Sequence, residues 1–272
     1  MSRFNEITIP RFNGIERLYG KGSLEALSSA HVLIVGIGGV GSWVAEALAR
    51  SAVGHLTLVD LDDVCVSNCN RQIHALDGQV GRQKVDVMVE RLSKINPACK
   101  LTAINDFYTP NTERTIFGNG DTRIDFVVDA IDSLSNKAHL LAASMRRCIP
   151  AVTVGGAGGR SDPTQIETKA LYQSGYDGLL RMARKKLRKN HPDIADLAMQ
   201  IPCVYSREQP RLHEDLVDSC DSKDVARRIN CQSGYGTASF VTGVFGMVAA
   251  SLVTNYLADP EWSADKFFAK VK

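Results

Sequence analysis

Short apolar runs alternate with longer stretches of helical periodicity over the first 154 residues. A run of strand length at residues 31–35 ends in a glycine-rich turn, a helical stretch continues to Ala52, and a second strand at 55–60 ends in an acid. This order of strand, glycine turn, helix and strand predicts the first half of a doubly wound sheet. The same patterns predict three more strands, at 100–104, 124–129 and 151–154, and two more helices, at 81–96 and 133–148.

The periodicity weakens after residue 154. Residues 165–171 suit a strand, residues 178–190 suit a basic helix, and residues 192–230 suggest a long irregular crossover loop before a final helix. We therefore predict an α/β fold. Its core is a Rossmann-like doubly wound, mainly parallel sheet, with a C-terminal extension of the sheet and a final apolar helix.

The final predicted helix carries no charge over residues 238–258. It is long enough to span a bilayer, which takes roughly 20 mostly apolar residues. The segment also contains Ser239, Thr242 and Asn255, and small residues such as Gly246 suit close packing of helices. We expect a buried core helix rather than a membrane span.

Composition and charge exclude several classes of protein. Of the 272 residues, 44% are hydrophobic and 23% are charged, as in ordinary globular domains. The net charge of +2 does not by itself indicate a nucleic-acid partner, which would need a local basic patch. Seven scattered cysteines argue for reduced thiols rather than a disulfide framework, and residues 1–10 lack the apolar run of a signal peptide. We expect a cytoplasmic protein.

The glycine-rich turn after the first strand is the first candidate site. Gly36 allows a tight turn, Gly38 allows a phosphate to approach the backbone, and Gly41 allows the helix to pack on the strand. The free N–H groups at the start of a helix favour an anion. Asp60 follows Gly36 by 24 residues, where an acid that binds a ribose is expected. The turn predicts a nucleotide site but leaves NAD and ATP open.

A second polar cluster favours ATP. Asn68, Arg71 and Lys84 all follow closely after the second strand. A dehydrogenase has no use for this combination. An enzyme that attacks a phosphoric anhydride needs such cations, because they neutralise charge that builds on the triphosphate.

These motifs resemble the nucleotide signature of the ubiquitin-activating enzyme superfamily. The segments that carry the resemblance are GIGGVG at 36–41, DLDDVCVSNCNRQ at 60–72, GRQK at 81–84 and DAIDS at 129–133. It implies adenylation of a carboxylate with ATP and Mg²⁺, with Arg71, Lys84 and Asp132 as catalytic residues and Asp132 supporting the metal. The implied ATP contacts are Gly36, Gly38, Gly39, Gly41, Asp60, Asp62, Ser67, Asn68, Arg71, Gln72, Lys84, Asp129, Asp132 and Ser133.

The resemblance also bears on zinc and on assembly. The superfamily usually binds structural zinc through two CxxC pairs, and this sequence contains no CxxC, so we expect no zinc site. Segments around Arg11 and Arg17 resemble a leading segment from which an arginine reaches the ATP of the partner subunit. This implies a homodimer with Arg17 in that role and Arg11 as the alternate. A solvated arginine is the other interpretation.

Further segments resemble one branch of the superfamily, the tRNA threonylcarbamoyladenosine dehydratases. They include RFNGIERLYG at 11–20, TVGGAGGRSDPTQI at 153–166 and CQSGYGTASFVTGVFG at 231–246. The branch implies tRNA as substrate and an ATP-dependent cyclisation, by dehydration, of the threonylcarbamoyl group of a modified adenosine beside the anticodon. The neighbouring carbamoyl group would close the ring on the activated carboxylate, and holding both groups on one molecule makes that step fast.

Several residues of the second half are candidates for substrate contact. Gly155 and Gly156 could hold substrate or merely turn the chain. Cys231 could be a nucleophile or a small buried hydrophobe, and the superfamily also allows a sulfur-transfer or sulfur-acceptor protein as partner. A solvated helix face is the usual explanation for a basic cluster, but tRNA phosphates could also meet this one: Arg181, Arg184, Lys185 and Lys186.

The sequence is thus interpreted as a single domain over residues 1–272. Its nucleotide-binding half lies at about 30–154, and its substrate and dimer half lies at about 155–258. An adenylyltransferase that activates the C-terminal Gly-Gly of a sulfur carrier is one alternative, which the missing CxxC pairs disfavour. An NAD-dependent oxidoreductase explains the glycine turn but not Arg71 or Lys84. A non-catalytic nucleotide-binding adaptor is disfavoured because the candidate catalytic residues are all present.

Overall fold

The computed structural model describes residues 3–118, 123–212 and 235–259, with side chains from residue 10 onward; Cys231 lies outside the described residues. The described strands form one sheet in the order β3-β2-β1-β4-β5-β7-β6. Every neighbouring pair is parallel except β6 with β7. The strands are β1 (His31–Val35), β2 (His55–Val59), β3 (Lys100–Ile104), β4 (Phe126–Asp129), β5 (Ala151–Val154), β6 (Ile166–Ala170) and β7 (Pro202–Ser206).

Helices cover both faces of the sheet. The predicted α/β, doubly wound architecture is confirmed, including an extension of the sheet after residue 154 and the final apolar helix. The structure adds that β6 of this extension runs antiparallel to β7. The described helices are α1 (Arg3–Tyr19), α2 (Ser23–Ser29), α3 (Gly41–Arg50), α4 (Lys84–Ile95), α5 (Glu113–Phe117), α6 (Leu134–Arg146), α7 (Gly178–Asn190), α8 (Ala195–Ala198) and α9 (Ser239–Leu257).

Two apolar layers hold the helices to the sheet. Val32 and Ile34 of β1 point into one layer, which α3, α4 and α9 complete. Leu33 and Val35 point into the other, which α6 and α7 complete. Because successive side chains of a strand point to opposite faces, a continuously apolar strand such as β1 is what a sheet covered on both faces requires.

The strand order reverses between β1 and β4, and this position determines where a ligand can bind. β1, β2 and β4 are parallel, so their carboxyl ends lie at one edge of the sheet. In open α/β sheets, ligands bind outside this edge at the point where the order reverses. The loops after Val35, Val59 and Asp129 all meet there.

The final helix α9 packs as part of the core. It is the described helix that is long and apolar enough to cross a membrane by length and composition, with a mean hydropathy of 1.5, and 56% of its apolar window is buried. A Cβ at Gly246 would lie 2.6 Å from Trp43 Cβ of α3, so the two helices approach too closely for any side chain there. The apolar surface of α9 is therefore used largely for helix packing.

The prediction of an irregular loop over residues 192–230 is wrong for its described part. That part contains α8 and β7, and β7 lies inside the sheet between β5 and β6. Pro202 opens β7, and only Cys203, Val204 and Tyr205 follow as a buried apolar run. Such a run is too short to mark a strand by pattern, and it becomes a strand because neighbours pair with it on both sides.

Candidate active site

The glycine turn between β1 and α3 has the geometry that the sequence predicts. Gly36 has φ +91, and a Cβ there would lie 2.7 Å from the carbonyl oxygen of Ala130. A Cβ at Gly41 would lie 1.8 Å from the carbonyl oxygen of Gly36, so α3 can start here only with glycine. No atom lies within 4 Å of a Cβ built at Gly38. The open side of the turn is therefore at Gly38, where a ligand can approach the backbone.

Asp60 holds this turn from the end of β2. Its Oδ2 accepts a hydrogen bond from the Ile37 N–H at 2.7 Å, and its Oδ1 accepts one from the Asp62 N–H at 2.9 Å. Burial raises the pKa of Asp60, and the nearby ammonium of Lys84 opposes that rise. Each carboxylate oxygen keeps a second lone pair, so Asp60 can still accept hydrogen bonds from a ribose.

Lys84 pairs with Asp62 beside the same turn. Its Nζ lies 2.7 Å from Asp62 Oδ2, with the lysine side chain buried and the aspartate exposed. The Lys84 N–H also donates to the Asp62 carbonyl at 3.0 Å, and Asp63 forms an antiparallel bridge with Gln83. These contacts join the loop at residues 62–63 to the start of α4. They hold the buried ammonium of Lys84 beside the glycine turn without any ligand.

The segment that contains Arg71 is anchored by its backbone. Asn68 ends a single turn of 3-10 helix and is buried, with its Oδ1 accepting from the Cys65 N–H at 3.0 Å. The carbonyl of Arg71 accepts from Trp43 Nε1 at 3.0 Å and from Thr242 Oγ1 at 3.2 Å. Its guanidinium Nη1 donates to the Ser67 carbonyl at 2.6 Å. Arg71 is half-buried, and its Cγ and Cδ lie 3.5 Å from a Cβ built at Gly39, which brings its stem beside the glycine turn.

Asp129 and Asp132 occupy different environments after β4. Asp129 is fully buried and accepts hydrogen bonds from Lys137 Nζ at 2.8 Å and Thr153 Oγ1 at 2.6 Å. Asp132 is exposed at the sheet edge, as is Ser133. The surroundings of Asp132 still desolvate it in part, which raises its pKa; Lys137 opposes the rise, and the carboxylates of Asp62 and Asp60 add to it. Asp132 is the carboxylate that a ligand can reach, whereas Asp129 serves the loop that carries it.

The second half of the sequence supplies a buried ion pair near the end of β5. Arg160 Nη2 lies 3.3 Å from Asp177 Oδ2, and both side chains are buried. Asp177 also accepts from the Gly156 N–H at 3.0 Å, and a Cβ at Gly155 would lie 2.2 Å from Asp177 Oδ2. Gly155 must therefore lack a side chain for the start of α7 to pack against the loop after β5, and Gly156 contributes its N–H to the same contact.

The predicted basic cluster divides into two groups. Arg184 Nη1 donates to the carbonyls of Leu171 and Ser174 at 3.0 and 3.1 Å, and Lys186 Nζ donates to Ser135 Oγ at 2.8 Å. Arg181 and Lys185 are exposed and form no ion pair within the described residues. Two of the four cations therefore fasten α7 to its neighbours, and two face solvent.

The N-terminal arginines lie on α1. Arg17 is exposed in its last turn. Arg11 is also exposed, and its Nη1 donates to the Ile95 carbonyl at 3.4 Å. Tyr19 ties the end of α1 to α9, because its hydroxyl donates to Asn255 Oδ1 at 2.8 Å. Within the described residues, the Arg17 side chain forms no hydrogen bond or ion pair with its own chain.

Sequence patterns missed two residues that support the site. Lys137 is fully buried, which is rare for lysine and gives no periodic signal. Arg160 follows the glycine cluster directly, and its guanidinium donates to the carbonyls of Gly156, Tyr176 and Glu208. In the sequence, the position of Arg160 directly after Gly155–Gly159 was the one indication that a side chain holds this loop.

Comparisons with known proteins agree with this geometry. The ThiF family model matches residues 13–270. The tRNA threonylcarbamoyladenosine dehydratase of Escherichia coli (strain K12) is 44% identical over 246 residues, which are 89% of this chain and 91% of that protein. Crystal structures of E. coli TcdA in complex with ATP and with AMP match with TM-scores of 0.78 and 0.79, at 40% and 41% identity. Each covers 92% of this chain and 94% of the other.

Proposed function

The chain belongs to the ThiF family, and we propose that it is an ATP-dependent tRNA threonylcarbamoyladenosine dehydratase that activates a carboxylate by adenylation. One observation carries the proposal. The glycine turn, Lys84 and Asp132 meet at the edge where the strand order reverses, in a chain that matches a dehydratase over nearly its full length. An oxidoreductase is disfavoured because hydride transfer has no use for the buried ammonium of Lys84 beside the glycine turn.

The geometry supports a role for four of the predicted ATP contacts. The open backbone at Gly38 and the start of α3 would hold phosphate oxygens, and Asp60 would accept hydrogen bonds from the ribose. Lys84 would exchange its pairing with Asp62 for a triphosphate oxygen. Arg71, anchored through its carbonyl, would add a second cation as charge builds in the transition state.

The reaction then needs positioning more than a protein nucleophile. The threonyl carboxylate attacks the α-phosphorus of ATP, pyrophosphate leaves, and an acyl-adenylate forms. The carbamoyl group of the same side chain attacks the acyl carbon, loses a proton and expels AMP, which closes the ring with net loss of one water. Because both reacting groups sit on one nucleoside, ring closure is intramolecular and needs no thiol.

Magnesium fits the site as a partner of ATP. Asp132 is exposed beside Asp62 and Asp60, whose carboxylates add to the rise of its pKa, so negative charge collects at this edge although Lys84 pairs with Asp62. Within the described residues, no group of three or more His, Cys, Asp or Glu side chains could hold a metal ion. A hard cation that keeps waters and binds one carboxylate plus substrate phosphates matches this arrangement, and it would neutralise triphosphate charge.

Assembly and location follow from the same proposal. We propose a homodimer in which Arg17 reaches the ATP of the partner subunit, because it is exposed on α1 and free to extend. The five described cysteines are free thiols, which suits a reducing cytoplasm. The half at 155–258 would bind tRNA, with the exposed Arg181 and Lys185 of α7 meeting phosphates.

Release of labelled nucleotide tests the proposed function. The protein is incubated with ATP labelled at the α-phosphate, Mg²⁺ and tRNA that carries threonylcarbamoyladenosine. AMP should accumulate only with the modified tRNA. Labelled ADP instead would overturn adenylation, and AMP release that requires a Gly-Gly-ended carrier protein would point to the sulfur-carrier activator.

A further inference from the structure

Tyr176 precedes α7 in an unusual backbone conformation. Its φ is +53, in the left-handed region that bulky side chains rarely adopt, yet 62% of the residue is exposed. The backbone is pinned because the Tyr176 carbonyl accepts from Arg160 Nη2 at 3.3 Å and Asp177 pairs with the same guanidinium. Strained residues persist where the surrounding structure fixes them, and they concentrate at binding sites. The fold therefore holds an aromatic ring in solvent instead of packing it.

Tyr176 lines a recess of about 450 Å³. Arg181, Arg184 and Gln209 line the same recess, together with the glycines on either side of the tyrosine. Arg184 is fixed by the carbonyls of Leu171 and Ser174, whereas Arg181 is exposed and has no ion pair within the described residues. The charge of Asp177 is already matched by Arg160. The recess thus offers an aromatic residue, the exposed Arg181 and an amide.

These groups are the ones that recognise an unstacked nucleotide. Exposed aromatic rings stack on splayed bases of single-stranded RNA, arginine binds the phosphate, and amides hydrogen-bond base edges. A nucleotide carries a planar base and a phosphate in one unit, which matches this combination of groups. The recess also lies at the edge formed by the carboxyl ends of the parallel strands. Asp177, which lines it, contacts Gly156, and Gly156 follows β5, the neighbour of β4.

We propose that the recess beside Tyr176 binds the base of an unstacked anticodon-loop nucleotide that neighbours the modified adenosine. The inference rests on the proposed function for the identity of the RNA. Lys186 of α7 donates to Ser135, which lies three residues after Asp132. The helix that follows Tyr176 is thereby attached beside the nucleotide site, and this fixes the position of a base stacked on Tyr176. Tyr176 is then a specificity residue for the loop.

The test is the Kd of the full-length protein for a fluorescent anticodon stem-loop RNA, measured by anisotropy at fixed salt. Tyr176→Ala should weaken binding about tenfold, and Tyr176→Phe should keep it. Tyr176→Gly relieves the backbone strain but removes the ring, so it should be as stable as the parent and still lose binding. Tyr172→Ala removes an exposed tyrosine that does not line the recess and serves as the matched control.

A fully paired RNA hairpin distinguishes base from backbone recognition. The Kd for this hairpin should be the same for Tyr176→Ala and the parent protein. Arg181→Ala should weaken binding of both RNAs and lower the slope of log affinity against log salt concentration by about one. Unchanged stem-loop affinity in Tyr176→Gly would overturn the inference. That result would leave the proposed function intact, because AMP release from the unaltered protein is measured separately. Equal losses for loop and hairpin would also overturn it.

Discussion

Lys137 Nζ lies 2.8 Å from Asp129 Oδ2, and neither side chain is exposed to solvent. Thr153 Oγ1 of the neighbouring strand donates to the same carboxylate oxygen at 2.6 Å. The pair therefore joins β4, β5 and α6 at the point where the loop to Asp132 begins. Burial raises the pKa of Asp129, and Lys137 and Thr153 oppose the rise by stabilising the ionised form.

Breaking this pair should destabilise the whole domain. Lys137→Met leaves an uncompensated carboxylate in the core, so we expect a loss of about 3–5 kcal/mol in the free energy of unfolding. Urea unfolding measures it. Arg123→Ala, which removes an exposed partner of Asp125, is the control and should cost no more than about 1 kcal/mol. Equal small losses in both variants would contradict a buried charge pair.

Two glycines of the turn should respond differently to alanine. Gly41→Ala places a Cβ 1.8 Å from the Gly36 carbonyl, so the turn must open and the protein should lose stability strongly. Gly38→Ala meets open space, so the melting temperature should hold while ATP affinity falls by about tenfold. Calorimetry of unfolding and of ATP binding separates the two. Full ATP affinity in Gly38→Ala would show that the nucleotide does not approach there.

A shared site across a homodimer predicts complementation. Arg17→Ala and Arg71→Ala should each be inactive as pure proteins, because every site then lacks one arginine. After the two are mixed and allowed to exchange subunits, one site of each mixed dimer regains both, which restores roughly a quarter of the parent activity. No recovery, with subunit exchange verified by mass, would exclude Arg17 from the partner's site.

His74 should make stability depend on pH. It is fully buried, and within the described residues neither ring nitrogen has a hydrogen-bond partner. Burial lowers the pKa of His74 from 6.5 to about 4, with Lys84 and Arg91 adding to the shift. Between pH 6.5 and about 4, the imidazole is protonated in the unfolded chain but neutral in the folded chain. The stability that is present above pH 6.5 is therefore lost as the pH falls towards 4.

The loss attributable to His74 is about 3 kcal/mol between those limits. His74→Leu has a similar volume and no titrating group, so its unfolding free energy should fall less between pH 7.5 and 4.5 than that of the parent. Denaturant unfolding at both values makes the comparison. Parallel losses in the two proteins would show that His74 does not account for the acid sensitivity.

Periodicity and turn chemistry predicted the first five strands, because four of them are buried apolar runs ended by glycine or an acid, and the partly exposed β3 follows Pro97, which ends the preceding helix. They missed β7, whose three buried residues become a strand only through pairing with β5 and β6. They also missed Lys137 and Arg160, since a buried cation is fixed by partners distant in sequence. Asp132 was predictable from its motif, but its exposure in contrast to Asp129 depends on where β4 ends.

The central claim is tested most directly by nucleoside mass spectrometry. Threonylcarbamoylated tRNA is incubated with the protein, ATP and Mg²⁺, and then digested and analysed beside an Arg71→Ala control. A modified nucleoside lighter by one water, formed by the parent protein and absent with Arg71→Ala, is the predicted result. Unchanged tRNA with folded, ATP-binding protein would contradict the dehydratase assignment.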